Sequence, residues 1–158
     1  MTHCDAAKLS KQHGKKSEYA LCASQWHKTL SYTDAFFKDG MTYDADFKKA
    51  FGYAPPYQAA ESSAALLVFK DAFERANDFN TKKVRDALAK TDMQTFYGNI
   101  KFAKGGQNVS KPMVLFQVIC NADGSSCENK VVAPTKWASA KLVPVSYTHL
   151  RAHETTSD

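Results

Sequence analysis

No apolar run in this chain approaches the roughly 20 residues that a membrane-spanning helix needs; the longest is Ala64 to Phe69. Met1 to Lys16 has basic residues but lacks the apolar middle of an export signal. Taken alone that absence points to the cytoplasm; in a piece of a longer protein it says nothing. The four cysteines, Cys4, Cys22, Cys120 and Cys127, contain no C-x-x-C pair, and His3 beside Cys4 is a poor start for a metal site, so no zinc ribbon or thioredoxin-type centre is expected. No Gly-x-Ser-x-Gly, phosphate loop or His-Glu-x-x-His motif occurs. His27, the one histidine near an interesting loop, has no base partner or nucleophile nearby in sequence. With no assembled catalytic constellation, an enzyme is not the expected reading, and no cofactor is implied.

Basic clustering is missing too. The net charge is +5, but the lysines are scattered as Lys15 and Lys16, Lys48 and Lys49, Lys82 and Lys83. Nucleic-acid binding wants a basic stripe interleaved with aromatics or a groove-reading motif, and neither is here, so no nucleic-acid partner is expected. What remains is globular: 44% hydrophobic and 23% charged residues rule out a wholly disordered chain.

Ser17 to Ser24 (SEYALCAS) reads as a buried strand, with Cys22 as a small hydrophobe. Gln25 to Thr42 is aromatic and irregular and reads as a loop with a turn at Asp39-Gly40. Asp44 to Phe51 can form a short helix with Phe47, Ala50 and Phe51 on one face; Gly52 ends it and Pro55-Pro56 forces an extended turn. Tyr57 to Asn77 is the strongest helix. Ala60, Ala64, Leu67 and Val68 fall on one stripe, widened by Leu66, Phe69 and Phe73, and small residues in its first half allow close backbone approach. Asn80 is an N-cap for Thr81 to Lys90. Tyr97 to Phe102 alternates as a strand, Met113 to Cys120 is a mostly apolar one, and Asn121 to Gly124 signals a hairpin returning through Lys130 to Val132. Strands are too few for a complete doubly wound sheet, so the broad face of the long helix predicts a sheet outside these residues.

The end of the chain is different in kind. Val145 to Thr155 (VSYTHLRAHET) resembles, residue for residue, the translation of a transposase-type sequencing adapter. Residues 145–158 are therefore expected to be a non-native tail, and the chain a fragment.

Four stretches resemble the closing section of type I solute-binding proteins of the branched-chain amino acid class. They are Cys22 to Trp26 (CASQW); Phe47 to Pro55 (FKKAFGYAP); the helix ending Asp71-Ala-Phe-Glu-Arg-Ala with Lys83-Val-Arg-Asp-Ala-Leu after it; and Phe96 to Phe102 (FYGNIKF) with Gly106-Gln-Asn and the strand through Val118. The resemblance implies an α/β fold class: a partial type I periplasmic-binding-protein fold with three-layer α/β/α lobes. Residues 17–144 would be pieces of both lobes, with 1–16 a poorly defined segment. It further implies a small-molecule ligand, an amino acid or similar polar solute, clamped between lobes by hinge closure. The partner would be the membrane permease of an ABC-type importer and the location extracytoplasmic, with the export signal in a missing N-terminal section. A ligand-sensing domain of the same fold is one alternative; a small self-contained enzyme or interaction domain is another.

The candidate ligand contacts are Gln25, Trp26, Tyr57 and Glu61. Trp26 follows a strand end, where open α/β sheets place ligands, but its ring could equally cap the core. Glu61 could pair with an ammonium, or simply sit where a helix N-terminus favours carboxylates. Tyr57 is presented rigidly after Pro56. Ser63 stands where many members of the class carry tyrosine, and Phe102-Ala103-Lys104 replaces a more common Phe-Asp-x. Cys120 and Cys127 bracket the hairpin, and the oxidising compartment implied by the resemblance would permit a bridge between them; two separate thiols remain the alternative.

Overall fold

The computed structural model describes residues 5–111 and 113–145. Most of the adapter-like tail, 146–158, lies outside the described residues. The chain divides into two compact units, one formed by Met1–Ser24 with Val114–Asp158 and the other by Gln25–Met113.

The first unit is built on three antiparallel strands, β1 (Leu21–Ser24), β6 (Val114–Cys120) and β7 (Cys127–Ala133), with β6 in the middle. The central position explains the apolar run of β6: Val114, Phe116 and Val118 are all buried. Gln117 is buried there as well, and its amide is satisfied. Its Nε2 donates to the Val143 carbonyl at 2.9 Å, and its Oε1 accepts from the Val143 N–H at 2.8 Å. Residues 1–16, expected to be poorly defined, instead contain helix α1 (Ala6–His13), capped by Asp5. Only Ala6 and Ser10 are buried on so short a helix, a stripe too narrow to register in the sequence. Ser10 donates to the carbonyl of Gly124 at 3.2 Å. Gly124 has φ +73°, and a Cβ there would meet Lys15 at 2.7 Å, so the hairpin turn needs glycine.

Cys120 and Cys127 pair across β6 and β7 and are joined by a disulfide. Cys22 is buried, as a small hydrophobe would be, but it too is disulfide-bonded, which spacing alone does not reveal. Together with Ala6, Val118 and Cys127 it forms a buried hydrophobic cluster within the unit. Replacing both Cys120 and Cys127 by serine removes a cross-link spanning seven positions. The expected loss is about 2–3 kcal/mol, from the loop-closure entropy returned to the unfolded chain. A urea melt of the double variant, with the Cys22 bond left oxidised, measures it.

The second unit holds α2 (Gly40–Phe51), α3 (Tyr57–Ala76), α4 (Thr81–Leu88) and two small hairpins. These are β2 (Thr33–Asp34) with β3 (Lys38–Asp39), and β4 (Asp92–Thr95) with β5 (Gly98–Lys101). Every strand pair among the described residues is antiparallel. Helix α2 starts four residues earlier than its apolar pattern predicts. Asp39 is its N-cap, accepting from the Thr42 N–H at 2.7 Å, and that hydrogen bond holds its carboxyl below the usual carboxylate range. The face also differs from the expected one: Tyr43 and Asp44 are buried while Phe51 is exposed. Burial raises the cost of the Asp44 charge, yet hydrogen bonds from Lys48 at 2.7 Å and Lys28 at 3.2 Å outweigh it and keep the carboxyl ionised.

Helix α3 matches its expected span to within one residue. Its buried positions are Ala60, Ala64, Val68 and Ala72, every fourth residue and nearly all small. Leu66, Phe69 and Phe73 remain exposed, so only a narrow part of the broad apolar face is covered by the unit. Arg75 ties α3 to α4, donating to the Ala87 carbonyl at 2.8 Å. The aromatic core lies elsewhere. Phe96 is fully buried, with ring centroids 4.3 Å from Tyr43, 5.0 Å from Phe37 and 6.1 Å from Trp26.

Candidate functional site

A cavity of about 480 Å³ opens on the second unit beside α3 and α4. Val68, Leu88, Ile100 and Phe102 give it apolar walls, and Gln25 and Glu61 bring polar groups to its lining. An apolar pocket with a few convergent polar groups is the usual form of a small-molecule site.

Helix α3 delivers the acidic group. Pro56 starts the helix at a fixed angle, so Tyr57 and Glu61 lie one turn apart, four residues along the same face. Glu61 is exposed and Tyr57 half-buried. Gln25 arrives from the other end of the unit, as the first residue after β1. The Tyr97 hydroxyl donates to its Oε1 at 2.9 Å, which fixes the amide and leaves the NH2 to donate elsewhere. Burial pushes the Tyr97 hydroxyl well above the ordinary tyrosine range, and the nearby charges of Glu61 and Tyr57 add to it, so Tyr97 stays a neutral donor.

Two of the four residues expected from the sequence, Gln25 and Glu61, thus line the cavity; Tyr57 does not, and only its charge acts on Tyr97. Trp26 does not line the cavity. Its ring is only 5% exposed and stands edge-on to Tyr43 at 5.9 Å and to Phe96.

Two members of the constellation were not legible beforehand. Tyr97 reads only as the first residue of an alternating strand; the signal available was that a buried tyrosine needs a partner for its hydroxyl. Lys111 carries no local signal at all. Its ammonium lies 3.9 Å from the centroid of the Tyr97 ring and donates to the Gln25 carbonyl. Burial lowers it to about 8, an effect that the Glu61 carboxylate partly offsets. Among the described residues no group of three or more His, Cys, Asp or Glu could hold a metal ion, and no helix is long and apolar enough to cross a membrane.

Comparison with known proteins adds the wider setting. Residues 1–125 match the sequence model of a family described as periplasmic binding protein. Among solved structures the chain is similar to a leucine binding protein from Thermotoga maritima, with 22% identity and a TM-score of 0.62, covering 82% of this chain and 35% of that one. A periplasmic binding protein from Burkholderia mallei gives 13% identity and a TM-score of 0.64 over 88% of this chain and 38% of that one. An ABC transporter substrate-binding protein from Desulfitobacterium hafniense, solved with Leu, gives 17% and 0.56 over 72% and 31%. At these identities the likeness speaks to fold: a partial type I periplasmic-binding-protein architecture. The chain spans between 31% and 38% of the length of these structures.

Proposed function

Since the chain belongs to the periplasmic binding protein family, we propose that it is part of a solute receptor, binding an amino acid or similar small polar solute for an ABC-type importer. The observation that carries this reading is the joint placement of Gln25 and Glu61 on one cavity with largely apolar walls, which Arg85, Lys104 and Asn108 also line. A carboxylate can pair with the solute's ammonium, the Gln25 amide can donate to its carboxylate, and apolar walls suit an aliphatic side chain. Tyr57 would bound the polar end, and Trp26 would back it from the core rather than touch the solute.

The permease is the proposed macromolecular partner, and an extracytoplasmic compartment the proposed location. Support for the compartment comes from the disulfide-bonded cysteines, since such bonds persist in oxidising surroundings.

Titration of the 15N-labelled chain with L-leucine tests the site. Binding weaker than about 1 mM is expected, because a partial cage leaves much of the cost of immobilising the solute uncompensated. Shifts should be confined to Gln25, Tyr57, Glu61 and their neighbours, and should vanish in Glu61→Gln. Shifts that are unchanged in that variant, or none at saturating leucine, would count against the reading.

A further inference from the structure

We infer that Lys111 is a positioning residue for the candidate site: together with Tyr97 it locks Gln25 in place and so sets where the Gln25 amide meets the cavity. This rests on the proposed function only for its consequence on binding; the lock itself stands on geometry.

Gln25 is the first residue of the second unit, and Lys111 lies two positions before its end. The Lys111 ammonium donates to the Gln25 backbone carbonyl, holding the main chain. The same ammonium sits over the Tyr97 ring, 3.9 Å from its centroid. The hydroxyl of that ring, in turn, holds the Gln25 side chain at 2.9 Å. Thus one cation fixes the main chain of Gln25 directly and its side chain through a tyrosine. Gly98, the residue after Tyr97, makes room for the lysine stem. Its φ is +145°, and a Cβ there would stand 3.0 Å from Lys111 Cδ and Cε.

The charged and titratable groups that act electrostatically on this cluster are Glu61 and Tyr57 from α3, and Tyr97 itself. Because Lys111 titrates near 8 in the folded unit, the unfolded chain binds more protons between there and lysine's ordinary value, and stability rises with pH across that window. The effect is a signature of the buried ammonium.

Lys111→Met keeps an apolar stem beside Gly98 and removes the cation; Lys111→Arg keeps a cation that does not titrate. In the methionine variant the Gln25 side-chain amide resonances should collapse to their unstructured positions, while in the arginine variant they should stay dispersed. Urea midpoints measured from about pH 7.5 to about pH 9.5 should rise in the wild-type chain and stay flat in both variants. L-leucine affinity should fall about fivefold to tenfold in the methionine variant if Gln25 is a contact, the loss of one positioned hydrogen bond. Failure of the wild-type chain to bind leucine would strike the functional reading and leave the resonance and pH results to decide the lock. Dispersed Gln25 amide resonances in Lys111→Met, or a pH dependence that persists in it, would overturn the inference.

Discussion

Trp26→Ala is expected to destabilise the second unit by about 3–5 kcal/mol, the range for truncating a buried aromatic. The indole is 5% exposed and packs edge-on against Tyr43 and Phe96, with Phe37 completing the group around Phe96. Alanine would leave a cavity beside the three remaining rings, whose positions depend on one another, and edge-to-face pairs are lost in addition to buried area. Gln25→Ala, one residue earlier, should cost far less in stability and act on binding instead. Urea denaturation of the two variants side by side separates the roles. A Trp26→Ala chain as stable as wild type would mean that the indole is not part of the core in solution.

The second large effect concerns solubility. Leu66 is 70% exposed and Phe69 46%, and Phe73 continues the same side of α3 toward Phe79, which is 86% exposed. The rings of Phe73 and Phe79 are 5.4 Å apart, so these are neighbours in one patch rather than isolated side chains. Contiguous exposed apolar surface drives self-association and dye binding. Leu66→Glu with Phe69→Glu should therefore sharply reduce both dye fluorescence and aggregation, with stability changed by no more than about 0.5 kcal/mol. Sedimentation velocity and a thermal melt report the two halves of the outcome. Marked destabilisation would show that this face is covered in solution.

That Glu61 and Tyr57 share a face of α3 follows from helix periodicity, which is local: once α3 begins at Tyr57, its fourth neighbour must lie on the same side. Asn80 as the cap of α4 was legible for the same reason, since its side chain accepts from Lys82 and Lys83 N–H groups only two and three residues on. Asp39 shows where this breaks down. Asp-Gly signals a turn as readily as a helix start, and the choice was made by Gly40 packing so closely that a Cβ would lie 2.6 Å from the Lys28 carbonyl.

From sequence alone came the long helix, its stripe of small residues, the apolar strand β6 and the order of motifs that resembles one family. All of these rest on interactions between residues a few positions apart, or on composition. Only the tertiary structure decided that Trp26 faces the core and Gln25 the cavity, although they are adjacent and both follow a strand. It alone brought Tyr97 and Lys111 to Gln25, across sequence separations of 72 and 86 residues. A cation held by a carbonyl and a ring so far away leaves no mark on its neighbours in the chain. Its place is set by how the unit closes, not by what surrounds it in sequence.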